Sequence, residues 1–264
     1  MRAQRGRQVI NRVCLIMPAL SKSKLMACLQ CPKRLWLEVH CPELSEHSAA
    51  SEAAFAAGRS VGEVARKLYD PKGLGILIDV GQDGTDAAIA RTRDLLLLRR
   101  PIFEAGFEAR GAKAFADVLI PTRRRGEPTW RMVEVKSSAE VHDYQRNDIA
   151  IQAYVARKAR LPLSSVAIAH VDTSWVYPGD DDYHGLLVEH DMTDEAFDLA
   201  KDVKEWIQRP KRSPPGARSQ RFWWEATAGN RMSAGFSATA RAASLGQNTR
   251  STGCRESSRR RSGN

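Results

Sequence analysis

No run of about 18 consecutive apolar residues occurs anywhere in the 264-residue chain, so a membrane-spanning helix is not expected. The short apolar run Val13–Met17 follows Arg2, Arg5, Arg7 and Arg12 but is too brief for a secretory signal, and no Ala-x-Ala cleavage pattern comes after it. A cytoplasmic protein is therefore expected. Cysteines are few and odd in number, five in all, with only Cys254 beyond residue 41, which argues against a disulfide framework. Gly-x-Ser-x-Gly and phosphate-cradling Gly-rich loops are both missing, and with them the signatures of α/β-hydrolase and P-loop chemistry. No internal repeat is visible.

Charge is distributed unevenly. The 41 basic and 31 acidic residues give a net of +10, yet twelve of the basic ones fall in residues 209–261, against only Glu225 and Glu256. The chain before residue 209 balances at 29 of each sign. From Gln208 onward Ser, Ala, Arg and Gly dominate and no period of two or 3.6 is sustained, so 208–264 is expected to be a disordered basic tail. Such a tail suits a polycationic arm, with Phe222, Trp223 and Trp224 available for base stacking. The abrupt change of composition is equally what translation in a shifted frame would produce. Residues 1–16 are expected to be a disordered extension upstream of Met17. One domain over 17–207 remains, long enough to bury a core.

Within it, hydrophobic periodicity predicts helices over about 21–39, 50–69, 84–98, 142–159 and 194–207, the last begun by Thr193. Strands are predicted near 76–80, 101–107, 113–120 and 129–136, with a β-rich run over 166–176. The segment 121–128, with a proline at each end, is expected to be a hairpin loop. This is an α/β sandwich pattern.

Two of these strands carry the chemistry: Asp117 on one, Glu134-Val135-Lys136 on the next. Side chains alternate along a strand, so Met132, Glu134 and Lys136 share a face, with Asp117 opposite, while Val133 and Val135 turn towards the core. Carboxylate oxygens are hard ligands that hold Mg²⁺ against a phosphate, and a neighbouring ammonium can orient or deprotonate water. Taken bare, Glu-Val-Lys on an edge strand is also what a solvated charge pair looks like. In the helix over 142–159, Asp148 and Gln152 fall one turn apart, and Ile149, Ala153 and Ala156 occupy another face. A surface amide bonded to a loop is the plain alternative for Gln152.

Several ordered segments resemble the RecB-like branch of the PD-(D/E)XK nuclease superfamily, which includes CRISPR-associated exonucleases with an iron–sulfur cluster. They are Leu20-Ser21-Lys22-Ser23-Lys24, Cys31-Pro32-Lys33-Arg34-Leu35-Trp36-Leu37, Ile102-Phe103-Glu104-Ala105, Ala116-Asp117-Val118-Leu119, Glu134-Val135-Lys136-Ser137-Ser138 and Asp148-Ile149-Ala150-Ile151-Gln152-Ala153-Tyr154. Together they look closest to an uncharacterised bacterial family within that branch. The resemblance implies a restriction-endonuclease-like core, a mixed sheet flanked by helices. It implies Asp117 and Glu134 as metal ligands with the Val135 carbonyl as a further one, Lys136 as the catalytic lysine, and Gln152 as a substrate or site-ordering group. Where relatives carry a metal-binding His in an early helix this chain has Gly62, so Glu63 or Glu104 is expected to substitute. Tyr154 sits two residues from Gln152, about 200° around the helix, and does not match the relatives' Gln-x-x-x-Tyr. Cys31 matches the early cluster cysteine, but with Cys254 alone late in the chain the iron–sulfur site is expected to be incomplete.

Other residues take plainer readings. His170 and His184 are expected to be structural, Trp36 and Trp206 to anchor the core, and Asp180-Asp181-Asp182 to be a solvated turn. The sequence thus implies a Mg²⁺- or Mn²⁺-dependent DNA phosphodiesterase of exonuclease-like character, working with DNA and nucleic-acid-processing proteins. The alternative is a nucleic-acid-binding module that keeps the nuclease fold with weak or no turnover.

Overall fold

In the computed structural model, which describes residues 19–45 and 48–212, the first expected helix is two. The short strand β1 (Leu20–Ser21) leads directly into α1 (Lys22–Gln30), and α2 (Pro32–His40) follows. Cys31 between them is extended (φ −161°, ψ 114°) because a residue before proline is pushed out of the helical region. Next comes α3 (Ala49–Tyr69), its first turn capped by the Ser48 hydroxyl, which accepts from the Ser51 N–H. The expected strand at 76–80 shrinks to β2 (Ile76–Leu77), and Gly84 at φ +79° separates α4 (Val80–Asp83) from α5 (Thr85–Leu96).

The central strands are β3 (Ile102–Ala109), β4 (Ala112–Arg124) and β5 (Glu127–Lys136). The loop expected over 121–128 is instead ladder, and the turn narrows to Arg125-Gly126, both at positive φ. Pro121 and Pro128 are tolerated because this end of the hairpin projects from the sheet: β3 pairs with β4 no further than Leu119, and β6 with β5 from Trp130. Beyond come α6 (Asp143–Lys158), β6 (Leu163–Val171) and β7 (Leu187–Asp191). The β-rich run thus ends at Val171, five residues earlier than expected, and β7 is a strand that the sequence reading missed. The final expected helix breaks at Leu199 into α7 (Thr193–Asp198) and α8 (Ala200–Gln208). Residues 1–18 and 213–264 lie outside the described part, and with them the whole of the expected N-terminal extension and most of the expected tail.

The fold is mixed α/β. Among the described residues the strands form one seven-stranded sheet in the order β2-β3-β4-β5-β6-β7, with β1 pairing to β4. Helix α6 lies against one face and is buried on nearly all sides from Asp148 to Ala156, because α1, α7 and α8 cover its outer side. The larger core gathers there, around Ile102, Leu119, Met132, Ile149, Ile151 and Ile168. A smaller core of Phe103, Val118, Val133, Ala167 and Ala169 fills the opposite face, with Tyr69 of α3 packed against it. Val133 enters a core as expected, but Met132, Glu134 and Lys136 face the larger one.

Two irregularities open this sheet where the site lies. Strand β3 holds one edge of β4, with Ala109 opposite Ala112 and Glu108 opposite Lys113; β1 pairs with those same two β4 residues, so it must occupy the other edge, the one β5 follows. The ladder between β4 and β5 stops at Val118–Val133. Residues 114–117 of β4 therefore have no strand partner on that edge, in the gap between β1 and β5. In addition, Ala112, Ala114 and Ala116 face the larger core, yet Val118 faces the smaller; on β3, Phe103 and Ala105 likewise face opposite cores across Glu104. Both strands change face at Glu104 and Asp117, and Glu104 takes φ +58°, a strained conformation for a non-glycine residue.

Candidate active site

Lys136, near the end of β5, places its Nζ 2.6 Å from Glu134 Oε1 and 2.6 Å from Asp148 Oδ2. Glu134 is only 2% exposed, and its second oxygen, Oε2, accepts from Gln152 Nε2 at 2.5 Å. Asp148 and Gln152 reach the same carboxylate region because they sit one turn apart on α6. Asp117 fills the gap in the sheet: its Oδ2 accepts the Val135 N–H at 2.7 Å, replacing the ladder bond that β5 has given up. A strand residue points its N–H and C=O to the same side, so the Val135 carbonyl faces Asp117 as well. Asp117, Glu134, Lys136, Val135 and Gln152 thus come together.

A residue that sequence reading did not single out completes the group. Lys22, the first residue of α1, sets its Nζ 3.0 Å from Glu134 Oε1 and 3.0 Å from Asp148 Oδ1. Asp148 Oδ1 makes no hydrogen bond of good geometry and is held by the charge of that ammonium. Two lysines and two carboxylates therefore close a ring across β5, α1 and α6. Asp148 also belongs to the site, although the sequence marked it only as a helix neighbour of Gln152.

The charges are strongly perturbed. Burial alone would raise the Glu134 carboxyl, but Lys136, Lys22 and the Gln152 amide hold it well below the usual carboxylate range. Burial works against the Lys136 ammonium, yet Glu134 and Asp148 outweigh it and keep Lys136 firmly protonated; Lys22 behaves alike. Asp117 and Asp148 are pushed up, first by burial and then by the Glu134 charge. Glu104 is pushed up for the same reasons, and its field reaches Asp117. Glu63 is an exposed residue of α3 and takes part in none of these bonds.

The donors are hard oxygens, the chemistry that suits Mg²⁺ or Mn²⁺. One further acceptor is notable: Gln152 Oε1 is buried without a hydrogen-bond partner. Turning the amide over would set that oxygen against Glu134 Oε2, so the orientation is fixed by the bond Nε2 donates. As the side chains stand, no three His, Cys, Asp or Glu groups among the described residues are gathered around a single metal position. The donor types fit a divalent ion, and their arrangement is one that binding would have to adjust.

The remaining candidates lie elsewhere. Tyr154 is buried beneath Lys158, whose Nζ is 5.5 Å from its ring centre. His170 is buried, its Nε2 2.9 Å from that of His190, and exposed His184 bonds Asp182 at 2.6 Å. Trp206 packs on the larger core, whereas Trp36 is half-buried beside His40; the fully enclosed indole is Trp130, 2% exposed, under the Arg99 guanidinium. Cys28 is buried, Cys31 exposed and Cys41 half-buried, all three as free thiols. Asp180, Asp181 and Asp182 are exposed, as a solvated turn should be. No described helix is long and apolar enough to cross a membrane.

No family model matches the chain, and no curated protein matches it. Among solved structures it is similar to SSO0001, with a TM-score of 0.40 and 10% identity over 82% of this chain and 89% of that one. It is also similar to LHK-Exo, solved in complex with dAMP, with a TM-score of 0.30 and 10% identity over 80% of this chain and 94% of that one. Likenesses of this size leave the chemistry to be argued from the site itself.

Proposed function

We propose that the protein is a metal-dependent phosphodiesterase acting on DNA, a nuclease of the PD-(D/E)XK type. The observation that carries this reading is the convergence of Asp117, Glu134 and Lys136 at a gap in the sheet, with Lys136 Nζ 2.6 Å from Glu134. Asp117 and Glu134 would hold the ion, with Glu104 and the Val135 carbonyl as further oxygen ligands. A bound Mg²⁺ or Mn²⁺ would supply Lewis-acid stabilisation of the charge that builds on the phosphate and the leaving oxygen. Lys136, whose ammonium lies 2.6 Å from Glu134 and from Asp148, would position the attacking water. Gln152 locks the Glu134 carboxylate in orientation through Oε2. The strain at Glu104 and the surplus of buried carboxylate are features a binding-only surface does not require.

The test is titration of the purified protein with Mg²⁺ and Mn²⁺ on end-labelled single- and double-stranded DNA, alongside Lys136→Ala. Cleavage that needs the metal and disappears in the folded variant supports the assignment; wild-type-like cleavage by Lys136→Ala sinks it. A second reading, a nucleic-acid-binding module without turnover, draws on the engagement of both Glu134 oxygens by protein donors. DNA binding that persists in chelator, with no product at any metal concentration, would favour that module.

A further inference from the structure

Three donors crowd the Glu134 carboxylate. Oε1 takes both Lys136 at 2.6 Å and Lys22 at 3.0 Å, and Oε2 takes Gln152 at 2.5 Å. Three of its about four lone-pair sites are taken, two of them by ammoniums, so a divalent ion meets like charge at this carboxylate unless one of those donors leaves. Gln152 is 1% exposed and fixed on a helix buried on nearly all sides. Lys136 stands on a central strand and makes the shorter contacts to both acids. Lys22 makes the longer ones, 3.0–3.2 Å, and is the first residue of α1, directly after a two-residue strand. It is the donor that can leave at least cost.

We propose that Lys22 is a displaceable counter-cation of the candidate metal centre: its ammonium holds Glu134 and Asp148 until a divalent ion takes its place, and then turns to the mouth of the site, where it meets the substrate phosphate. The inference rests on the nuclease reading above. It explains why the carboxylates are not gathered around one metal position as they stand, since two of them are drawn to ammoniums. It also explains why a second lysine is built into a site whose chemistry asks for one. An ammonium released beside the bound ion adds positive charge where the phosphate arrives, at the position from which β1 leads into α1.

The exchange is tested on the full-length chain by direct Mn²⁺ binding, read from the electron paramagnetic resonance signal of the free ion, for wild type, Lys22→Met, Lys22→Arg and Glu134→Gln. Lys22→Met removes the competitor and should bind Mn²⁺ about tenfold more tightly than wild type, while Lys22→Arg, which keeps the charge, should not. In parallel, Mg²⁺ should increase the rate at which an amine-acylating reagent modifies Lys22 in wild type, read by peptide mass spectrometry. A purely structural lysine would move neither reading in this direction. Unchanged or weaker Mn²⁺ affinity in Lys22→Met, with binding abolished in Glu134→Gln, overturns the exchange and leaves the metal reading standing. Wild type and Lys22→Met that both fail to bind Mn²⁺ overturn the nuclease reading and the exchange with it. Should Lys22→Met not fold, the acylation arm decides: Lys22 reactivity indifferent to Mg²⁺ rules the exchange out.

Discussion

Strand β5 carries an ionic cluster on each face, and the two are built for different ends. Towards α3, Arg131 pairs with Glu189 of β7, whose other oxygen accepts from the Tyr69 hydroxyl at 2.7 Å. One carboxylate there meets one guanidinium and one phenol, each oxygen has its donor, and the ion-paired side chains are about one-third exposed, at 34% and 31%. Towards α6, Glu134 and Asp148 are 2% and 9% exposed at the side chain and share two ammoniums, with Asp117 and Glu104 in the same field. The first cluster is balanced and wet, and it staples α3 to two strands. The second buries more carboxylate than cation, which costs several kcal/mol per uncompensated ion and brings no packing in return. Selection for stability alone would favour the first pattern; the second is the pattern that the proposed metal-binding role calls for.

The largest expected effect separates the faces by activity. Asp117→Ala and Lys136→Ala should each lower metal-dependent cleavage by about 10³-fold, the scale of removing a group that stabilises transition-state charge. Arg131→Ala, only a few residues along the same strand, should leave turnover within about twofold while loosening the α3 staple. Steady-state kinetics on one labelled oligonucleotide compares all three. Equal losses in Arg131→Ala and Lys136→Ala would mean that the two clusters work as one unit.

Next in size is the stability cost of the surplus acid. Asp117 has a folded pKa raised above its unfolded value, so its charged form penalises the native state above the folded pKa. That penalty is relieved as pH falls towards the unfolded value. Glu134 runs the other way: its depressed pKa contributes stability above the unfolded value, lost as pH falls through the folded one. Asp117→Asn should therefore raise stability at neutral pH by about 1 kcal/mol or more, with a gain that shrinks on acidification. Urea melts of wild type and variant between pH 7 and pH 4 follow this difference. A gain that grows on acidification would show that Asp117 is paired and stabilising.

Much of the site was legible because its logic is local. Alternation placed Glu134 and Lys136 on one face, an adjacent strand brought Asp117 to them, and the i,i+4 spacing joined Asp148 to Gln152. Lys22 was not legible as a partner: it lies 112 residues from Glu134 and arrives only because β1 takes the edge of β4 that β5 has left. The change of face at Glu104 has no signal either, since nothing about a glutamate announces φ +58°. Element boundaries failed where a single residue overrode a longer pattern, as with Cys31 before Pro32. The hairpin failed in the opposite sense, because prolines that would break an inner ladder are tolerated where the strands project beyond their neighbours.

The smallest effect tests whether the two faces are independent. Tyr69→Phe removes the hydroxyl that bonds Glu189 Oε1 and leaves the Arg131 contact at Oε2 in place. Burial and the Glu189 carboxylate both raise the Tyr69 phenol, so the group is a neutral donor throughout the working pH range and its loss changes no charge. Glu189 is open enough for water to replace the missing partner. The expected cost is therefore about 1 kcal/mol, that of one hydrogen bond without a stranded buried acceptor, seen as a lower urea midpoint with unchanged slope. Mn²⁺ affinity should not move, because nothing on the α3 face touches Glu134. A shift in Mn²⁺ affinity in this variant would show that β5 transmits strain from the staple to the carboxylates, and the contrast between a structural face and a chemical face would give way to a single coupled device.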